Sequence, residues 1–125
     1  MKVIQTNDAP SPIGPYSQAV MAANTLYISG QIAIEPQSGD IILEDIKKET
    51  MQVMENIKAI LSAAGLGFEN VVKCSIFLSD MNNFQQVNEI YGKYFEKHHP
   101  ARETIAVAGL PKDVNVEISV IAVKD

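Results

Sequence analysis

Apolar positions along the chain follow two rhythms. Over Asp45–Ala64 they fall at Ile46, Val53, Met54, Ile57, Ile60, Leu61 and Ala64. Steps of three and four put these side chains on one stripe of a helix. Lys47, Lys48, Glu49, Gln52, Glu55 and Lys58 fall on the polar side, and Gly65 follows the last turn, where a left-handed cap is expected. Asn83–Lys97 repeats the helical rhythm through Phe84, Val87, Ile90, Tyr91, Tyr94 and Phe95. Asp80 or Asn82 supplies a start signal, and Pro100 stops anything continuing past His99.

The second rhythm is that of strands. Thr25–Ala33, Val71–Ser79, Glu103–Ala108 and Val114–Val123 are rich in β-branched residues. Lys2–Thr6 and Ser17–Ala22 are weaker candidates. Thr25–Ala33 and Ile41–Leu43 flank a turn at Pro36–Gly39 and predict a hairpin. The order strands, helix, strand, helix, strands predicts an α+β fold in which both helices cover one face of a sheet. In the last strand Val116, Ile118, Val120 and Ala122 point one way, and Asn115, Glu117, Ser119 and Ile121 the other. Glu103–Ala108 is small and apolar on both sides. The uncovered face is mixed rather than charged, which predicts burial by self-association. An antiparallel sheet wet on one side is the alternative.

At 125 residues the chain fits a single domain, 1–125. Its formal net charge of −5, with no basic run, argues against holding phosphate backbones, so no nucleic-acid partner is expected. One cysteine permits no internal disulfide, and no apolar run suits a signal peptide or a bilayer span. A cytoplasmic protein is the expectation. There is no Cys-x-x-Cys, His-x-x-x-His, acidic calcium loop, G-x-G-x-x-G or P-loop, so neither a metal nor a cofactor is expected.

The chemistry-bearing residues are few. Arg102 follows Pro100-Ala101 and opens a strand otherwise poor in charge. Its forked donors suit a carboxylate, or equally a surface ion pair with Glu103. Glu117 interrupts an apolar strand, either at an exposed edge or in a pocket where it could take a proton from water. Tyr16 closes the proline-rich stretch Ala9–Pro15, as a pocket wall or a packing ring. Gly30, within Ser29-Gly30-Gln31, marks a bulge, a ligand close to the backbone, or simple packing. Cys74 alternates with Val72, Ile76 and Leu78 and reads as core. His98 and His99 read as charge near a helix C-terminus.

In order along the chain these residues resemble the RidA/YjgF family of reactive intermediate/imine deaminases. The resemblance is carried by Ala9-Pro10 with Ile13–Ala19, by Ile28–Ile32, and by Glu55–Leu61 with Ala63-Ala64-Gly65. Further blocks are Val72-Lys73, Val87–Tyr91, Pro100-Ala101-Arg102, Leu110–Asp113 and Val116-Glu117-Ile118. It implies a chorismate-mutase-like fold: a mixed six-stranded sheet, two helices on one face, and a trimer around a barrel-like core. It also implies pockets at subunit interfaces that take a small anionic imine or 2-oxo acid. Water would hydrolyse 2-aminoacrylate or 2-iminobutanoate without a cofactor. Arg102 would clamp the carboxylate, and Glu117 would hold or activate the water, so that the two side chains, from neighbouring strands, converge in one crevice. Tyr16 would border the pocket and assist proton movement. Gly30 and Thr104 would line it through backbone groups, and Asn88 would support its architecture. Two positions depart from the pattern: Glu103 stands where active deaminases commonly have Ser, and Thr104 where relatives often have Cys. The competing functions are a non-catalytic trimeric sensor of small 2-oxo acids and an RNA-directed activity.

Overall fold

The computed structural model describes residues 1–125. Six strands form one sheet: β1 (Lys2–Ile4), β2 (Ala19–Ala22), β3 (Thr25–Gln31), β4 (Val71–Leu78), β5 (Ala101–Ala106) and β6 (Val116–Val123). Two helices, α1 (Ile46–Ala63) and α2 (Phe84–Tyr94), complete the fold. The spatial order is β1-β2-β3-β6-β4-β5. All neighbours are antiparallel except β4 and β5, which run parallel and are joined through α2. The sheet is therefore mixed, as expected.

Alternation along the strands sets the layers. On β6, Val116, Ile118, Val120 and Ala122 are buried, and on β4 Cys74, Ile76 and Leu78 join them. They meet Val53, Met54, Ile57, Ile60 and Leu61 of α1 and Val87 and Tyr91 of α2 in one core. The opposite face carries Tyr27, Phe77, Glu103, Ile105, Glu117, Ser119 and Ile121, and no element of the chain covers it. Tyr27 and Ile105 are 50% and 45% exposed there.

The Asp45 side chain caps α1, accepting from the Lys48 N–H at 2.8 Å. Gly65, at φ +75°, follows its end in the left-handed conformation. Four sequence expectations need correction. Ile41–Leu43 is not a strand: Ile34 and Ile41 share a single bridge, while β3 pairs with β2 and β6. α2 stops at Tyr94, because Phe95 leaves helical geometry (φ −128°, ψ 50°) and becomes a core residue. His98 consequently caps no helix and instead hydrogen-bonds the Val71 carbonyl. Glu49, assigned to the polar side of α1, is 0% exposed. Periodicity alone cannot place a carboxylate that finds backbone donors in the interior.

Candidate functional site

Two clefts hold the candidate residues, and they lie on opposite faces of the sheet. The first, about 470 Å³, is bordered by Ile13, Tyr16, Ser29, Gly30, Pro111 and Glu117. Its upper wall is the proline-rich loop. Prolines offer no N–H, so the loop's carbonyls need outside donors. The buried Gln18 amide supplies them, donating to the carbonyls of Pro10 at 2.8 Å and Thr6 at 3.0 Å while accepting from the Thr6 N–H at 2.8 Å. Ser29 Oγ donates to the Ser17 carbonyl at 2.6 Å and ties the loop to β3. Tyr16 stands half-exposed at the mouth.

Gly30 has a local reason to be glycine. Between Ile28 and Gln31 the β3–β6 register shifts, an irregularity that fits the bulge among the readings of Ser29-Gly30. A methyl built on Gly30 would overlap Glu117 Oε2 and lie 2.8 Å from Cδ. The missing side chain is the space the carboxyl group occupies. Glu117 is half-buried, makes no ion pair or hydrogen bond within the chain, and its desolvation raises its pKa above the ordinary glutamate value.

The second cleft, about 520 Å³, is formed by Asn88, Tyr91, His99, Pro100 and Arg102 with their neighbours. Arg102 pairs in register with Cys74, whose side chain is buried under the helices, so Arg102 also points to the helix side. Its guanidinium lies 5.1 Å from the Tyr91 ring centroid and 5.6 Å from that of Phe84. Nη1 donates to Asn88 Oδ1 at 2.6 Å. No carboxylate pairs with it. Glu103 points to the other face, where it bonds Ser75 Oγ and Lys73 Nζ, the latter at 3.0 Å. Those contacts, Ser75 first, lower its pKa. Glu103 therefore neither pairs with Arg102 nor faces the second cleft.

Thr104, two residues further along β5, borders neither cleft; its Oγ1 is buried without a hydrogen-bond partner. Cys74 lies in the core, its thiol pushed up to about 11 by burial, as suits a packing residue. No group of three or more metal-ligating side chains converges anywhere in the fold, and no helix is long and apolar enough to cross a membrane.

The sheet thus brings Tyr16, Gly30 and Glu117 together on one side and Arg102 and Asn88 together on the other. The expected convergence of Arg102 and Glu117 from neighbouring strands does not occur within one chain. β4 separates β5 from β6, and alternation sends the two side chains to opposite faces. Sequence reasoning missed Gln18 and Glu49, both buried polar groups. For Gln18, the clue is a run of prolines whose carbonyls lack neighbouring donors.

Two helices on one face of a six-stranded mixed sheet, with a desolvated acid and an arginine without a carboxylate partner in separate clefts, define a small α+β protein with two candidate small-molecule clefts. Residues 6–124 match the model of the family described as Endoribonuclease L-PSP. The chain belongs to this family, the RidA/YjgF family of the resemblance. It is 53% identical over 124 residues to a RutC family protein of Pyrococcus horikoshii, covering 99% of this chain and 98% of that one. It is 50% identical over 123 residues to the 2-iminobutanoate/2-iminopropanoate deaminase of Mus musculus, covering 98% and 91%. The E. coli TdcF structure with bound serine superposes with a TM-score of 0.96 at 41% identity, covering 100% of both chains.

Proposed function

We propose that this protein hydrolyses small 2-imino acids, 2-iminobutanoate and the imine tautomer of 2-aminoacrylate, to the 2-oxo acid and ammonia. The site is shared between two subunits of a homotrimer, so that the Arg102 cleft of one meets the Glu117 cleft of the next. The observation that carries this reading is the presence of two incomplete halves on opposite faces of the sheet: a guanidinium with no carboxylate partner and a half-buried carboxyl with no donor, which a second copy would bring together. The uncovered, partly apolar sheet face supplies the surface for that assembly. Naming of the mouse relative at 50% identity as a 2-iminobutanoate/2-iminopropanoate deaminase supports the reaction class.

The chemistry asks little of the protein. A 2-imino acid is already electrophilic at C2, so positioning and modest acid/base assistance suffice. Arg102, steadied by Asn88 and by the Tyr91 and Phe84 rings, grips the substrate carboxylate. The Glu117 carboxylate takes a proton from water as the water oxygen bonds to C2, and the C=N π pair moves to nitrogen, which takes that proton back from the Glu117 carboxyl as its new N–H bond. The resulting carbinolamine receives a second proton on nitrogen, the C–N bond breaks with its electron pair leaving on ammonia, and the hydroxyl loses its proton to give C=O. Overall, imine plus water yields 2-oxo acid plus ammonia. A carboxyl of raised pKa is a stronger base than an exposed one, which suits the first step. Tyr16, which borders the cleft, relays the later protons. The family description refers to an endoribonuclease, but a formal net charge of −5 counts against an RNA-directed activity.

The decisive experiment couples a serine or threonine dehydratase to the purified protein and times 2-oxo acid release. Acceleration over the dehydratase alone, lost in Arg102→Ala, is the expected result. Ligand binding at Arg102 with hydrolysis equal to the blank would make the protein a sensor of 2-oxo acids instead.

A further inference from the structure

We infer that Glu49 is a positioning residue, whose buried carboxyl group fixes the start of β6 and thereby sets where Glu117 stands in the first cleft. The inference rests on the deaminase reading. Glu49 lies in the first turn of α1, on the helix side of the sheet, and is 0% exposed. No lysine, arginine or histidine lies within ion-pair distance. Three N–H donors satisfy it instead. Oε2 accepts from the backbone N–H of Asn115 at 2.7 Å and of Val116 at 3.1 Å, and Oε1 accepts from Asn115 Nδ2 at 2.8 Å.

These donors occupy a telling place. The β3 ladder reaches β6 only as far as Gln31 opposite Ile118, two residues short of Val116, so besides Glu49 only β4 holds the start of β6, pairing Leu78 with Val116 and donating the Ser79 N–H to the Asn115 carbonyl at 3.1 Å. Just upstream, Lys112 and Asp113 adopt φ +55° and +56°, two successive left-handed residues that are not glycine. Such backbone is costly and persists only where its surroundings hold it. The Leu110 carbonyl accepts from the Asp113 N–H at 3.1 Å within the turn, and Glu49 holds its exit. Pro111, at the head of the same turn, borders the first cleft, and Glu117 comes two residues after Asn115. Movement of the turn exit would therefore shift both a cleft wall and the carboxyl group that activates water.

The test compares Glu49→Leu, Glu49→Gln and wild type on 2-iminobutanoate generated in situ, with the Glu117 side-chain carboxyl followed by ¹³C NMR titration. In Glu49→Leu, kcat should fall by about tenfold or more while KM, governed by the Arg102 cleft, stays within about threefold, because a small displacement of a catalytic group costs rate more than binding. Glu49→Gln keeps an oxygen for the two backbone donors and should restore kcat to within about threefold of wild type. The Glu117 titration should move toward the ordinary glutamate range in Glu49→Leu only. If Glu49→Leu does not fold, Asn115→Ala removes one donor and should lower kcat without changing KM. Unchanged kcat per folded molecule, or an unmoved Glu117 titration, in whichever of these two variants folds overturns the inference. If wild type itself fails to hydrolyse imines, the deaminase reading falls, and the titration alone decides whether Glu49 positions Glu117.

Discussion

If each site takes Arg102 from one subunit and Glu117 from its neighbour, two inactive variants must rescue one another. Arg102→Ala removes a fork that offers a substrate carboxylate two charge-assisted hydrogen bonds. Each is worth about 1.5–3 kcal/mol, so the loss of about 3–6 kcal/mol predicts a drop in kcat/KM of about 10²- to 10⁴-fold. The side chain lies on an exposed cleft over Tyr91 and Phe84 rather than in the core, so the fold and the assembly should survive. Glu117→Gln removes the base while keeping the shape, for a drop of about 10²- to 10⁴-fold. Mixed in equal amounts, unfolded and refolded together, the two variants assemble at random. An interface is competent when its Arg102 comes from the Glu117→Gln chain and its Glu117 from the Arg102→Ala chain. The chance is one half for each side, so about a quarter of the sites should be active, whatever the size of the ring. The assay is 2-oxo acid release per subunit for the refolded mixture, beside each variant refolded alone. Recovery near a quarter of wild-type activity is the expected result. Activity no greater than the sum of the separate variants, with mixed oligomers verified by mass, would refute the shared site.

Other consequences are simpler to check. In Gly30→Ala the new methyl competes with the Glu117 carboxyl for one space; kcat should fall by about tenfold or more with the circular dichroism spectrum unchanged. The raised Glu117 pKa places the acid limb of kcat/KM above the ordinary glutamate range, because the base works only when ionised and is lost as pH falls through its folded-state value; a profile flat to below that range would remove Glu117 from the role. The same shift means that ionising Glu117 disfavours the folded state. This effect is absent below the unfolded pKa and fully present above the folded one, so Glu117→Gln should melt no lower than wild type at neutral pH. Ile105→Asp places a charge on the uncovered sheet face and should shift the sedimentation coefficient toward that of the monomer, with activity lost in parallel.

Much of the layering was legible because burial imposes simple periods. The 3.6-residue stripe of Val53, Met54, Ile57, Ile60 and Leu61 and the two-residue alternation of Val116, Ile118, Val120 and Ala122 both turned out buried, and together they make the core. For Gly30 the sequence left a bulge, a close backbone approach and simple packing open, and the register shift beside it favours the bulge. Ends were harder. α2 stops at Tyr94 although the apolar rhythm continues, since Phe95 reaches the core from non-helical backbone and packs edge-on against Phe68, ring centroids 5.3 Å apart. Polar groups turned inward were harder still. Gln18 meets its partners within 8 to 12 residues, where the proline run is the one clue. The Asn115 backbone donor to Glu49 lies 66 residues away, beyond any local window.

The separation of Arg102 from Glu117 was hidden for a deeper reason. Alternation along a strand gives the face of each residue relative to its own strand, while the sides of different strands are related only through their pairing. Arg102 shares the helix side because it registers with Cys74, and Glu117 takes the open side because it registers with Phe77. Once those registers are known, a cooperating pair within one chain is excluded by geometry: no rotamer carries either head through a sheet. The carboxyl held in the Gly30 notch and the guanidinium steadied by Asn88 are then each prepared for a partner that their own chain cannot supply. On the deaminase reading, catalysis is therefore a property of the assembly, and activity per subunit should vanish on dilution below the subunit dissociation constant while the secondary structure persists.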